Sequence, residues 1–350
     1  MAAKRTRRSV AGASVAAALI AVLSALPGSA GADPAATVDP TDAMRQLSDL
    51  AHQSEVANEA VLNAQMAVDA KLAAQHAAQE QRARDAADVA AAKARIAEYQ
   101  PMIDKVAAAT YMGARQNPLA AILMSDSPQQ VLDQMTLLDA ISSETGAKVG
   151  QYQHAAAEAS AAEAQARKSA DVSRAAADQA RAEVDRLHVR QGELTAEIGK
   201  VVQAWAGLST PDKAAFAGSP FPPGFNPDTL LQGLMPGTGT GALQAGLTRV
   251  GMPYIWGAIG PTSFDCSGLV QWAFKQVGKD LPRTSQAQGQ GGVPVAREDL
   301  QPGDVVIFHP GATHVGIYAG NGNVLHASTF GVPVAVAPLD SMPYNSARRY

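Results

Sequence analysis

Nine positions, Ala177, Ala180, Val184, Leu187, Gln191, Leu194, Ile198, Val201 and Trp205, form a mostly apolar stripe whose steps alternate between three and four residues. That is the heptad seam of a coiled coil, and it predicts one long helix. A looser stripe runs upstream through Leu47, Leu50, Ala57, Val61, Ala64, Val68 and Leu72. Both arms are rich in alanine, so the helices can approach closely while burying little area per residue. Together they predict an all-α coiled-coil hairpin over residues 41–205. Between the arms, over about 101–146, the pattern changes. Met112, Leu119, Ile122, Leu123, Met124, Val131, Leu132, Met135, Leu137, Leu138 and Ile141 crowd together, broken by Gly113, Pro118 and Pro128. This predicts two or three short helices at the tip, whose apolar face either packs on itself or docks a partner.

After Trp205 the period is lost. Residues 206–241 are dense in proline and glycine, which predicts a linker, semi-extended at first and flexible near Gly237, Gly239 and Gly241. A compact domain follows over 242–350. In it, Leu269, Val270, Ala273, Phe274 and Val277 repeat at helical spacing, with Gly278 placed to cap the C-terminus. Short apolar runs at 304–308, 314–318 and 324–328 predict strands, and Asn321-Gly322 marks a hairpin between the last two.

Composition sharpens this division. All seven phenylalanines follow Trp205, as do two of the three tryptophans, so only the C-terminal part can build a large globular core. A net charge of −4 over 350 residues argues against a nucleic-acid binder. The N-terminus carries Lys4, Arg5, Arg7 and Arg8, an apolar run over 10–26, and the small-residue site Ala30-x-Ala32. This predicts a secretory signal peptide over 1–32, cleaved near Ala32, rather than a membrane anchor. Arg7-Arg8 leaves export by a twin-arginine route open. The expected location is therefore outside the cytoplasmic membrane, in a periplasm-like space or the cell wall.

The single cysteine, Cys266, has no disulfide partner in its own chain, which leaves nucleophile or inert core residue. It opens the helical pattern, where unpaired N–H groups and the dipole favour thiolate and could hold an oxyanion. Gly268 is expected to leave room beside the sulfur. Strand alternation puts His314, Gly316 and Tyr318 on one face, and Val324, His326 and Ser328 on one face. A connection with an odd number of residues would set the two histidines one diagonal apart, close enough for an imidazole–imidazole hydrogen bond. One would then serve Cys266 as base while the other fixes its tautomer. A zinc site from His309, His314, His326 and Cys266 matches no common ligand spacing and would consume the nucleophile, so no metal or other cofactor is expected.

These residues also carry a resemblance. Pro253-Tyr254-Ile255-Trp256-Gly257, Asp265-Cys266-Ser267-Gly268-Leu269-Val270, Leu281-Pro282-Arg283-Thr284-Ser285, Leu300-Gln301-Pro302-Gly303-Asp304, His314-Val315-Gly316-Ile317-Tyr318 and His326-Ala327 resemble, in that order, the NlpC family of cell-wall cysteine peptidases. The resemblance covers about 247–350. It implies a papain-like α+β fold and cleavage of peptidoglycan stem peptides after γ-linked D-glutamate, commonly before meso-diaminopimelate. It implies Cys266 as nucleophile, His314 as general base and His326 as the residue that orients it. Tyr254 matches a tyrosine that approaches the nucleophile, while Asp265, Ser267, Arg283 and Ser285 fall at positions near the substrate groove. The helical module looks like that of division-associated hydrolases of the RipC-like and PcsB-like kind, which implies a partner of the FtsE–FtsX membrane type. An amidase acting on the sugar–peptide bond, and a non-catalytic wall-binding scaffold, are the alternatives.

Overall fold

The computed structural model describes residues 40–113 and 128–350. The expected signal peptide lies outside them, as do Leu119, Ile122, Leu123 and Met124 of the expected tip. The chain divides into two compact units, one formed by residues up to Gln65 with Leu187–Tyr350, the other by Met66–Arg186. Two long helices, α1 (Pro40–Gly113) and α2 (Pro128–Gly207), contribute to both.

In the unit 66–186 the helices run antiparallel. Lys93 pairs with Glu163 at 2.8 Å and Arg95 with Glu158 at 3.0 Å, so rising numbers on α1 meet falling numbers on α2. Apart from Val68, the buried positions are small or polar, among them Ala92, Ala155, Ala159, Ala180, Ser169, Ser173 and Asp85. Separate short helices do not appear over 101–113 or 128–146. Pro101 lies inside α1 and Gly146 inside α2. The break in pattern there is a change in apolar composition, carried on a backbone that stays helical. Leu132, Met135 and Ile141 are exposed. Among the described residues no helix is long and apolar enough to cross a membrane.

In the other unit, the predicted seam is buried at Leu187, Leu194 and Val201 on α2 and at Leu47 and Val61 on α1. Trp205, near the end of α2, meets Phe330 edge-on with centroids 6.0 Å apart, and Phe330 stacks on Trp256 at 5.2 Å. The proline-rich segment is not a free linker. It forms α3 (Thr210–Ala217) and α4 (Pro227–Gln232), started by Ser209 and Asn226 caps with proline in the first turn. The Pro220 carbonyl accepts from Val336 N at 2.9 Å. Gly237–Gly241 is no flexible tether either, because α5 (Thr238–Leu247) begins inside it. There Gly239 and Gly303 meet backbone to backbone, and a Cβ on Gly239 would lie 2.8 Å from the Gly303 carbonyl. Glycine is needed at both, since Gly303 also has φ +99°.

The order continues with α6 (Cys266–Lys275), α7 (Ser285–Gln290), β1 (Val293–Val295), β2 (Val305–Phe308), β3 (His314–Gly320), β4 (Asn323–His326), β5 (Ala335–Pro338) and β6 (Tyr344–Arg349). The six strands make one antiparallel sheet in the order β1-β6-β2-β3-β4-β5. Helix α6 packs on α5 and β3, and α7 on β2 and β6. Val305, Val306, Ile307 and Phe308 are all fully buried, because β2 is covered on both faces. One face takes the helices, where Gly246 lets α5 approach Leu325 and Ile317. On the other, Val306, Phe308, Val324 and Leu339 form a second cluster. This is the expected α+β architecture.

Candidate active site

Cys266 is the first residue of α6. Asp265 caps the helix, its Oδ1 accepting from Gly268 N at 2.7 Å. Gly268 is required by this cap rather than by the sulfur. A Cβ there would stand 2.1 Å from the Ala258 carbonyl oxygen and 2.8 Å from Asp265 Oδ1. Arg283 clamps the same carboxylate, with Nη2 to Oδ2 at 2.5 Å and Nη1 to Oδ1 at 3.1 Å, and also donates to Ser267 Oγ at 2.8 Å. Gln288 donates to the carbonyls of Ser267 and Pro282, fixing the first turn of α6 against the loop before α7.

The histidines stand as the strand register requires. Tyr318 faces Val324 and Ile317 faces Leu325, with five residues between the first pair, so His314 and His326 lie on one diagonal. His314 Nε2 and His326 Nδ1 are 3.0 Å apart. Among the described residues His314 Nδ1 has no hydrogen-bond partner. Burial drives His314 well below the usual histidine range, helped by the neighbouring imidazoles, and brings His326 to about 4. Both are therefore neutral at physiological pH, one donating and one accepting. Tyr254, 3% exposed, has an unpaired buried hydroxyl and meets Trp256 edge-on at 5.7 Å.

A third element enters the site, and the sequence singled out none of its residues. Ser54, Glu55, Asn58 and Glu59 of α1 are between 0 and 6% exposed. Trp256 Nε1 donates to Ser54 Oγ at 3.0 Å, and Asn58 Nδ2 donates to Asp265 Oδ2 at 3.2 Å. Glu59 accepts from the Ser267 hydroxyl and from Ser285 N, each at 2.9 Å. Asn63 donates to Gln286 at 3.1 Å, and Glu55 Oε2 lies 3.6 Å from His314 Nδ1. The contacts from Ser54 to Asn63 span nine residues of helix, about 13 Å at the α-helical rise, so α1 lies along the groove. A sign of this was in the sequence. The upstream stripe steps from Leu50 to Ala57 with its intermediate slot filled by Ser54, and two glutamates and an asparagine flank it.

This cover changes the nucleophile. The helix N-terminus favours thiolate, but Cys266 is 1% exposed, and burial pushes its thiol well above the ordinary range. The carboxyl groups of Glu59, Asp265 and Glu55 push the same way, and only Arg283 opposes them. The closed site therefore holds a thiol. The expectation of a thiolate fails here because α1 supplies both the dry cover and two acidic groups.

Residues 251–347 match the model of the NlpC/P60 family. The chain is 40% identical over 356 residues to "Probable endopeptidase Rv2190c" of Mycobacterium tuberculosis, with 91% of each protein covered. It is 56% identical over 113 residues to "Probable endopeptidase Cgl2188" of Corynebacterium glutamicum, covering 32% of this chain and 54% of that one. The solved structure of NlpC2 from Trichomonas vaginalis shares 38% identity over 35% of this chain and 49% of its own, with a TM-score of 0.32. The chain belongs to the NlpC/P60 family and is an enzyme of the cysteine-peptidase class.

Proposed function

We propose that the chain is a secreted peptidoglycan endopeptidase that cuts stem peptides at the γ-D-glutamyl–meso-diaminopimelate bond during wall remodelling and cell separation. The observation that carries this is the first-turn Cys266 of α6, packed on the strand whose His314 is paired to His326. With the groove open, the free His314 Nδ1 takes the proton of the Cys266 thiol. The sulfur then attacks the peptide carbonyl, and first-turn N–H groups of α6 steady the oxyanion. The proton returns from His314 to the leaving amine, and water hydrolyses the thioester by the same route. His326, whose Nδ1 accepts from Nε2–H of His314, keeps Nδ1 of His314 the unprotonated nitrogen.

The helical module controls access. The hydrogen bonds of α1 in the groove are made by its side chains, which supports a cover rather than a substrate. Five hydrogen bonds hold it, each worth about 0.5–1.5 kcal/mol net, a total that a binding partner can overcome. The exposed Leu132, Met135 and Ile141 suit docking on a membrane division complex of FtsE–FtsX type.

Mass spectrometry of purified muropeptides tests the assignment, using the mature chain and a variant with the α1 face displaced. Fragments ending in γ-D-glutamate are the expected products. Intact stem peptide with free lactyl-bearing glycan would make the enzyme an amidase. Binding without any product would make it a wall scaffold.

A further inference from the structure

A cover needs to exclude substrate, but it does not need acids. The face of α1 nevertheless brings Glu55 and Glu59 into a cleft that already holds the Asp265 carboxylate. Among the described residues only one guanidinium, that of Arg283, lies among them, and Asp265 occupies it on both sides. Among the described residues Glu59 makes no ion pair: its partners are a hydroxyl and a backbone N–H, and Arg283 acts on it only from a distance. Glu55 faces a neutral imidazole, His314. Among the described residues its one potential counter-ion is His52, 3.8 Å away and half-exposed, itself tilted against the His309 ring at 4.3 Å with Asp49 nearby. The remaining ionisable groups around the cleft are Cys266, Tyr254 and His326, all uncharged when buried. Two carboxylates in so dry a place would be left without compensation.

We propose that α1 is a proton-sensitive latch, closed while Glu55 and Glu59 are neutral carboxylic acids and released from the groove as they ionise. This rests on the reading that α1 covers a thiol-peptidase site. The hydrogen bonds accommodate the acid form. One oxygen of Glu59 keeps the Ser285 N–H, while its O–H donates to Ser267 Oγ. That hydroxyl, which also accepts from Arg283, turns its own proton towards Asp265 Oδ1 at 3.5 Å. Opening thus expels up to two protons.

Burial raises both glutamates from 4.5 to about 7 in the closed state. A group raised on closing favours closure fully below its free value, near 4.5, and that contribution is lost as pH rises through about 7. His314 and His326 do not interfere, since burial holds both down, His326 to about 4. A protonated His52 would favour ionised Glu55, so Glu59 carries the sharper part of the response.

Cys266 is the only cysteine, so alkylation of the full chain by iodoacetamide reports the groove alone. The rate is measured from pH 5.5 to 8.5 relative to Ser54→Trp, whose indole cannot fit under Trp256, with Asn58→Trp as a second reference should the first misfold. The ratio cancels the thiol's own titration. The wild-type ratio should rise at least about tenfold across this range. The double variant Glu55→Gln/Glu59→Gln, permanently neutral, should remain protected throughout. A Gln variant that follows the wild-type curve, or a wild type equally protected at every pH, would overturn the proton latch while leaving the cover intact. Wild type alkylated as fast as both reference variants at every pH would remove the cover itself.

Discussion

Asn58 and Asp265, 207 positions apart, share a buried hydrogen bond of 3.2 Å from the Asn58 amide to Oδ2. Asp265 also caps the helix that carries Cys266, so the cover and the nucleophile are held by one carboxylate. Whatever lifts α1 also frees an acceptor beside the sulfur, and substrate N–H groups can then take the place of the asparagine.

Cys266→Ala should abolish peptide release while the thermal midpoint stays within a few degrees, because little volume is lost at the start of α6. His314→Ala should cost nearly as much. His326→Ala should cost less, about 10²-fold in kcat/KM, since nucleophile and base persist without their orienting partner. Equal rates for wild type and Cys266→Ala on purified muropeptides would remove the assignment.

Ser54→Trp should raise activity on soluble muropeptides about tenfold or more. Ser54 is fully buried against Trp256, and an indole in its place has no room unless α1 moves away. The rate should rise through kcat with little change in melting of the catalytic domain. Unchanged activity in a folded variant would mean that α1 does not limit the enzyme.

The histidine pair predicts acid sensitivity. A histidine lowered from 6.5 to about 4, as His326 is, adds stability that is fully present above about 6.5 and is lost as pH falls to about 4. The contribution is on the order of 3 kcal/mol. Thermal melts of wild type and His326→Gln should therefore converge as pH falls through this window. Because Glu55 and Glu59 act in the opposite sense, the difference between the two curves is the informative quantity. Parallel curves would contradict a buried neutral pair.

Gly268→Ala should destabilise the domain by on the order of 3 kcal/mol, since its methyl would overlap the Ala258 carbonyl and the Asp265 cap. A melting temperature equal to wild type would show that the cap relaxes without cost.

Much of this was legible in the sequence because it is local. The helix after Cys266, the strands at Val305, His314 and Val324 and the diagonal between the histidines all follow from periodicity and one turn. Strands β1 and β6 were not, for β1 is Val-Pro-Val and β6 reads Tyr-Asn-Ser-Ala-Arg-Arg, neither with an apolar alternation. Their pairing is decided by distant partners. Gly239 and Gly241 read as flexible for a similar reason: what they touch, Gly303 and Val277, is remote in sequence. The largest omission was which residues of α1 enter the groove. Serine, asparagine and glutamate on a helix normally face water, and only the donors and acceptors of the groove make that face a buried one.

The sheet order bears on how the protein is made. Strand β6 lies between β1 and β2, so the centre of the sheet lacks a neighbour until residues 344–349 have emerged. The α1 face, by contrast, is among the first described segments to leave the ribosome. The cover is thus synthesised well ahead of the sheet that completes the site it closes. A newly made molecule need not pass through an interval with its groove unguarded, and no separate inhibitor has to arrive in time.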